Sequence, residues 1–148
     1  MKAKEHYRAL ENMYLAAPIN EFFDPQIKIS YERAEISIEV KENFFHAANA
    51  VHGSVYFKML DDAAYFAANS IEFDCFVLTT EFKTVLTRPI SSGSMKSIGK
   101  VLSKIETEIV VEAILYNDSG KEIGRGSGIF FRGKRPLVDI PSYREDRY

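Results

Sequence analysis

The sequence predicts an α+β fold in which one long apolar helix packs against about six antiparallel strands. Residues 51–70 carry apolar side chains over most of a helical surface, which is typical of a buried helix. The other long apolar segments alternate with a period of two, which is typical of strands. With 148 residues, 46% of them hydrophobic, the chain is expected to form one domain, 1–148, around one core.

The remaining elements follow from local patterns. Apolar residues at three- and four-residue steps predict an extra N-terminal helix over 3–16, ended by Pro18. Alternation from Gln26 to Val40, interrupted near "ERAE", predicts a hairpin. Four further strands are predicted at 76–88, 96–105, 108–117 and 122–132. In the first of them, alternation places Phe76, Leu78, Phe82 and Leu86 on one face. The polar tail, 134–148, is expected to be partly loose.

Composition argues against several classes of protein. Nineteen basic and 21 acidic side chains give a net charge of -2 without a long basic run, so nucleic acid is not an expected partner. The one cysteine, Cys75, excludes an internal disulfide and a cysteine-pair metal site. No apolar stretch reaches the roughly 18 residues of a membrane span, and the N-terminus lacks a signal-peptide pattern. A cytoplasmic protein that does not bind membranes is therefore expected.

Two neighbouring aspartates lie within the predicted helix. Asp61 and Asp62 are about 100° apart around the axis, so they meet different surroundings. Asp62 follows Lys58 by four residues, which predicts an ion pair on a solvated edge. Asp61 shares its row with Phe57 and Tyr65 and is expected to face apolar side chains. Such a carboxylate is typical of a catalytic acid, base or nucleophile, although an aspartate bonded to a backbone amide or a neighbouring subunit is the structural alternative.

The residues before this helix suggest a second functional group. Gly53 and Ser54 stand where the first helical N–H groups have no partner within the helix, and such donors can hold an oxyanion. His52 either binds a substrate or orients the loop. We favour orientation, because no Ser-His-Asp or Cys-His order accompanies it.

The stretch "HGSVYFKMLDDAAYFAANS" resembles the hotdog-fold acyl-CoA thioesterases of the phenylacetate-pathway type. These enzymes belong to the 4-hydroxybenzoyl-CoA thioesterase-like superfamily. That pattern is His-Gly-Gly, an apolar helix, and an acidic residue nine positions after the histidine, here His52 and Asp61. The strand "LTTEFKTVLTRPI" is similar as well. The resemblance implies a hotdog fold, in which a curved antiparallel sheet of five to six strands wraps one long central helix. Because a helix on a single open sheet leaves one edge strand and part of the acyl channel uncovered, we expect an obligate homodimer, or a homotetramer built from dimers.

The resemblance implies roles for individual residues. Asp61 would activate water or attack the thioester carbon directly, and Gly53 would donate its backbone N–H from the other subunit. Thr79 would orient the water, although an ordinary strand threonine is an equal alternative. The family uses no metal and no redox cofactor, and CoA enters only as part of the substrate.

Two positions depart from the family pattern. Ser54 replaces the second glycine, and its hydroxyl could cap the helix. His46 stands where the family usually carries Asn or Gln, and a neutral imidazole can make one comparable hydrogen bond. Asn49 is the alternative supplier of that amide, and an asparagine also tolerates a left-handed turn.

The leading functional hypothesis is an acyl-CoA thioesterase that releases a carboxylic acid and free CoA. A non-catalytic acyl-CoA-binding sensor is the alternative, and a hydratase or dehydratase is a third class. Tyr65 and other aromatic residues would line the acyl pocket, which suits medium-chain or aryl groups equally. Arg88 is a candidate contact for CoA phosphates, and an acyl carrier protein is the other carrier that would suit the site.

Overall fold

The computed structural model describes residues 2–145. Its α-helices are α1 (Ala3–Ala16), α2 (Ile19–Phe23) and α3 (Gly53–Asn69). Its strands are β1 (Gln26–Ser30), β2 (Arg33–Glu39), β3 (Cys75–Leu86), β4 (Ser94–Ile105), β5 (Glu108–Asn117) and β6 (Glu122–Pro136). Short 3-10 turns occupy Glu42–Phe44 and Leu137–Asp139. None of the helices in this range is long and apolar enough to cross a membrane.

The six strands form one antiparallel sheet in the order β1-β2-β4-β5-β6-β3. The sheet curves around α3, and small residues allow the helix to approach closely. Ala63 and Ala64 have no exposed surface, and a Cβ atom added at Gly99 of β4 would lie 2.3 Å from the Ala63 carbonyl oxygen. The predicted α+β architecture, with a central helix, a curved sheet and an N-terminal helix, is confirmed.

Most predicted boundaries agree with the structure, but the predicted alternation of β3 is wrong. Register shifts between Cys75 and Val77 and between Thr79 and Glu81 interrupt the two-residue period. Val77 is fully buried, whereas Leu78 is 52% exposed, and the extra residue between Thr79 and Glu81 puts Phe82 on the opposite face from Leu78. A bulge adds one residue to one strand only, so the face on which later side chains lie changes.

The C-terminal tail is more ordered than its composition suggested. Strand β6 extends to Pro136, Leu137 is fully buried, and the Leu137 N–H donates to the Asp74 carbonyl at 2.9 Å. Tyr143 is also buried. Residues 134–145 thus pack against the domain through Leu137 and Tyr143, and residues 146–148, the rest of the tail that was expected to be partly loose, lie outside the described part of the chain.

Helix α1 is joined to the core through buried polar contacts. Glu11 accepts a hydrogen bond from the Ile29 N–H at 2.8 Å. His6 is fully buried and donates from Nε2 to the Asn69 carbonyl oxygen at 2.8 Å, so its Nδ1 accepts the Tyr143 hydroxyl at 2.5 Å. Burial lowers the pKa of His6, because the charged imidazolium would lose its hydration.

His6 should therefore make folding sensitive to acid. The unfolded chain binds a proton at a histidine near pH 6.5, whereas the folded chain binds it only at lower pH. The free energy of unfolding should fall as the pH drops below about 6.5. Between pH 7.5 and 5.5 the wild type should lose more stability than His6→Gln, measured by urea denaturation. The exposed His46→Gln variant is the control and should follow the wild type; equal losses in all three proteins would contradict this role.

Candidate functional site

Asp61 lies on α3 beside a cavity of about 230 Å³. The Thr79 hydroxyl on β3 donates a hydrogen bond to Asp61 Oδ1 at 3.1 Å. The lining is mostly apolar and comes from the N-terminal segment, α3 and β3. The lining residues are Met13, Tyr14, Ala17, Ile19, Asn20, Lys58, Asp61, Asp62, Tyr65, Phe66 and Phe76.

The electrostatics of Asp61 follow from this position. Burial raises the pKa of Asp61 to about 6, and the negative charge of Asp62 acts in the same direction. The Thr79 hydrogen bond and the positive charge of Lys58 act in the opposite direction, because both favour the carboxylate. The predicted apolar surroundings of Asp61 are therefore present. A carboxyl group with this pKa can take up and release a proton near neutral pH.

The surroundings of Asp62 differ in part from the prediction. The predicted ion pair is present, with 2.5 Å between Lys58 Nζ and Asp62 Oδ2. The prediction that Asp62 lies on a solvated edge is wrong, because α1 covers this side of α3 and the Asp62 side chain is only 19% exposed. The Tyr14 hydroxyl of α1 donates to Asp62 Oδ2 at 2.7 Å. Asp62 thus joins two elements, while Asp61 borders the cavity.

The start of α3 is capped by His52 rather than by Ser54. His52 Nδ1 accepts the Ser54 backbone N–H at 3.0 Å and lies 2.8 Å from the Ser54 hydroxyl. The expected capping by the Ser54 hydroxyl is therefore wrong. His52 already accepts the Ser54 backbone N–H, so the Ser54 hydroxyl adds a contact to His52 and does not act as the cap itself. The Gly53 N–H has no hydrogen-bond acceptor among residues 2–145.

A second cavity, of about 330 Å³, lies beside the first turn of α3. Its lining includes His46, Gly53 and Arg88. His46 Nδ1 accepts the Ala48 N–H at 3.0 Å within the preceding turn. Asn49 adopts the predicted left-handed conformation, with φ of 62°, and does not line either cavity. The structure thus places His46 and Gly53, but not Asn49, in the lining of one cavity.

One chain does not bring the two halves of the predicted site together. Asp61 and Gly53 are eight residues apart on α3, which corresponds to about 12 Å along the helix axis. Thr79 and Tyr65 lie with Asp61, whereas Arg88 lies with Gly53, and the two cavities share no lining residue. Asp61 and the Gly53 N–H of the same chain therefore lie too far apart to meet at one reacting carbonyl group.

The sequence patterns missed the contribution of the N-terminal segment, residues 3–23. Periodicity predicted that α1 packs on the core, but Tyr14 and Asn20 also line the Asp61 cavity. Amphipathic spacing shows which face of a helix is buried, and it carries no information about which cavity that face meets. Among residues 2–145, no cluster of three or more His, Cys, Asp or Glu side chains could hold a metal ion.

Comparisons with known proteins identify relatives of this chain. A family model described as "Thioesterase superfamily" matches residues 48–123. The Saccharolobus solfataricus protein named "Putative esterase SSO2140" is 30% identical over 119 residues, covering 79% of this chain and 84% of that protein.

Solved structures share the architecture at lower identity. The E. coli PaaI protein from the phenylacetic acid degradation operon superposes with a TM-score of 0.79 at 17% identity, covering 88% of this chain and 97% of that one. The thioesterase HI1161 of Haemophilus influenzae superposes with a TM-score of 0.74 at 13% identity, covering 81% and 85%. The matched stretch, the 30% identical relative and the shared architecture together show that this chain, with its hotdog fold, belongs to the thioesterase superfamily.

Proposed function

We propose that this chain is an acyl-CoA thioesterase that hydrolyses a thioester to a carboxylic acid and free CoA. The supporting observation is the position of Asp61, a half-buried carboxyl group in a mostly apolar cavity, with a pKa near 6 and a hydrogen bond from Thr79. Family membership adds support, because thioester hydrolysis is the reaction after which the superfamily is named.

Two chemical roles suit Asp61. As a general base it removes a proton from water while the water oxygen attacks the thioester carbon; the carbon–sulfur bond then breaks, and the proton passes to the CoA thiolate. As a nucleophile it forms a mixed anhydride and releases CoA, and water then hydrolyses the anhydride to regenerate the carboxylate. In both routes the Thr79 hydroxyl holds the carboxylate or the attacking water in place.

A dimer would complete the site. The Gly53 N–H of the second subunit would stabilise the oxyanion formed at the thioester carbonyl. Strand β3 supports this arrangement, because it lies at one edge of the sheet and pairs only with β6 among the described strands. Exposed apolar side chains accompany this edge, namely Phe57, Leu78, Val85 and Leu86. An apolar edge strand is a favourable surface for pairing with a second copy.

The second cavity would receive the CoA side of the substrate. Arg88 is exposed there and can contact a phosphate, while the Tyr56 hydroxyl donates to the Arg88 carbonyl at 2.7 Å and holds this segment in place. His46 would take the position of the family amide near the thioester. In this proposal the reaction needs no metal or redox cofactor, and CoA takes part only as a portion of the substrate.

A non-catalytic acyl-CoA-binding module is the second candidate, because His46 replaces the family amide in the turn beside Gly53. Release of free thiol from a panel of acyl-CoAs, followed with a thiol reagent, separates the two candidates. Thiol release above the rate without enzyme supports hydrolysis. Binding of acyl-CoA without thiol release would support the sensor.

Asp61→Asn should lower kcat by about 100-fold or more and leave substrate binding little changed, because it keeps the size and removes the base. The matched control is Asp62→Asn, which should change kcat by only a few-fold. That variant should instead lower the thermal stability, since Asp62 holds Tyr14 and Lys58. Equal loss of turnover in both variants would contradict the assignment.

The pH dependence should report the ionisation of Asp61. Since the carboxylate is the active form, kcat/KM should fall as the pH drops through about 6. Thr79→Val should move this fall to higher pH, because the lost hydrogen bond favoured the carboxylate. The control is Thr80→Val, because the Thr80 hydroxyl of the wild type donates to the Ile129 carbonyl and not to Asp61. An unchanged profile in Thr79→Val would exclude Thr79 from the site.

Mixed dimers should show that two chains share each site. Gly53→Pro removes the N–H at the first helical position, where proline is tolerated, and His52 already has the extended backbone that precedes proline. A heterodimer of one Gly53→Pro chain and one Asp61→Asn chain contains two different sites. One site combines the unaltered Asp61 of the first chain with the unaltered Gly53 of the second, and the other site carries both substitutions. The purified heterodimer should show about half the wild-type turnover, whereas each homodimer should be nearly inactive. An inactive heterodimer would place both groups in one chain.

A further inference from the structure

Lys58 of α3 is held at one place by contacts with three side chains. Its Nζ atom lies 2.5 Å from Asp62 Oδ2, 5.3 Å from the centre of the Tyr14 ring and 5.0 Å from the centre of the Phe23 ring. An ammonium group at these distances is attracted to the faces of aromatic rings. Lysine has a flexible stem, but this side chain is only 13% exposed. Its charge therefore has a fixed position beside the Asp61 cavity, which Lys58 also lines.

Both rings belong to the N-terminal segment, residues 3–23, and both are supported by the core. Tyr14 of α1 is 5% exposed and packs edge-on against Phe66, with 5.0 Å between ring centroids. Phe23 of α2 stacks on the buried Phe44, with 5.1 Å between ring centroids. The two rings lie outside residues 48–123, the stretch matched by the superfamily model, whereas Lys58 lies within it. The N-terminal segment thus fixes the position of a charge on the central helix.

Lys58 is a neighbour of both aspartates on the helix surface. It lies three residues before Asp61 and four residues before Asp62. The pair of Lys58 and Asp62 has no net charge. Without the lysine, Asp62 would be an uncompensated anion next to Asp61, and neighbouring carboxylates oppose each other's ionisation. The lysine thus favours the ionised form of Asp61.

The other groups that line this cavity do not change their charge near neutral pH. Two of them are phenols, Tyr14 from α1 and Tyr65 from α3, and burial raises the pKa of both, so they stay neutral. The elements α2 and β3 contribute uncharged side chains to the lining, namely Ile19, Asn20 and Phe76. Among residues 2–145, the charged side chains that share the cavity with Asp61 are therefore Lys58 and Asp62.

We propose that Lys58 is a positioning residue for the reaction at Asp61 and that the N-terminal segment holds it in place through the rings of Tyr14 and Phe23. This inference rests on the proposed thioesterase function and adds an element that controls it. Docking of α1 and α2 keeps the lysine beside Asp62, and the pair keeps Asp61 ionised and able to act at neutral pH. Loss of this docking confines activity to higher pH.

Lys58→Met tests the role of the charge, because methionine is unbranched like lysine but uncharged. The fall of kcat/KM on the acid side should move to higher pH by about 0.5 pH unit or more, because Asp62 loses its cation. Lys58→Arg keeps the charge and should keep the position of this fall. The matched control is Lys96→Met, which breaks an ion pair with Glu35 that does not line the cavity, and it should follow the wild type. A loss of activity in Lys58→Met that is equal at every pH would show a structural role only and overturn the inference.

A double variant shows whether Lys58 acts through Asp62. Asp62→Asn alone should move the fall of kcat/KM to lower pH, because Lys58 then remains as an uncompensated cation. Lys58→Met combined with Asp62→Asn removes both charges, so the fall should return close to its wild-type position. A double variant that behaves like Lys58→Met would exclude Asp62 from this role and overturn the inference.

Two neighbouring phenylalanines test the contribution of the N-terminal segment. Phe23→Leu removes a ring that holds the Lys58 ammonium, so it should move the fall of kcat/KM in the same direction as Lys58→Met, by a smaller amount. Phe22→Leu is the control, because within residues 2–145 Lys58 contacts the rings of Tyr14 and Phe23 and not that of Phe22. An identical position of the fall in the wild type and Phe23→Leu would contradict the holding role of the segment.

A titration without substrate separates this inference from the proposed function. In protein labelled with carbon-13 at the aspartate carboxyl groups, the Asp61 signal is identified by its absence in Asp61→Asn, and its chemical shift is followed by NMR from pH 4 to 9. The titration midpoint should be higher in Lys58→Met than in the wild type. If no thioester is hydrolysed, the thioesterase proposal fails, and this difference still supports the effect of Lys58 on Asp61. Equal midpoints in the two proteins would overturn the inference, whether or not thioesters are hydrolysed.

Discussion

The structure depends on the burial of α3 against the curved sheet. The close approach requires small residues on both sides, and alanines in α3 opposite Gly99 provide them. A helix in this position is apolar on most of its surface, so any carboxyl group that it carries meets a largely desolvated environment. The raised pKa of Asp61 is therefore a consequence of the packing that also stabilises the domain.

The neighbouring aspartate shows how one helical step separates two roles. Asp62 has a cation and a hydroxyl as direct partners, and its charge is compensated by Lys58. Among residues 2–145, Asp61 has only the Thr79 hydroxyl as a direct hydrogen-bond partner, and it lines the cavity together with Tyr65 and Phe76. The hydrogen bond from the Tyr14 hydroxyl to Asp62 joins α1 to α3, which connects the wall of the cavity to the helix that carries the carboxylate.

The chain combines a shared scaffold with a segment of its own. The stretch matched by the superfamily model contains Gly53, Asp61 and Thr79, the groups assigned here to the chemistry. Residues 3–23 lie outside that stretch and cover one side of the cavity. Under the proposed function, changes in this segment would alter which acyl groups fit without changing the groups that act on the thioester. Such a division is common where one fold serves many substrates.

The sequence by itself determined the α+β class, the bounds of α1, the approximate strands and the prominence of Asp61, because each depends on local periodicity or on spacing within one helix. Only the tertiary structure decided the phase of β3 after its bulge, the packing of Leu137 and Tyr143 in the tail, and the partial burial of Asp62. It alone placed Asn20 beside the cavity that Asp61 and Tyr65 line. These features depend on contacts between residues distant in sequence, and local patterns contain no record of which distant surfaces meet.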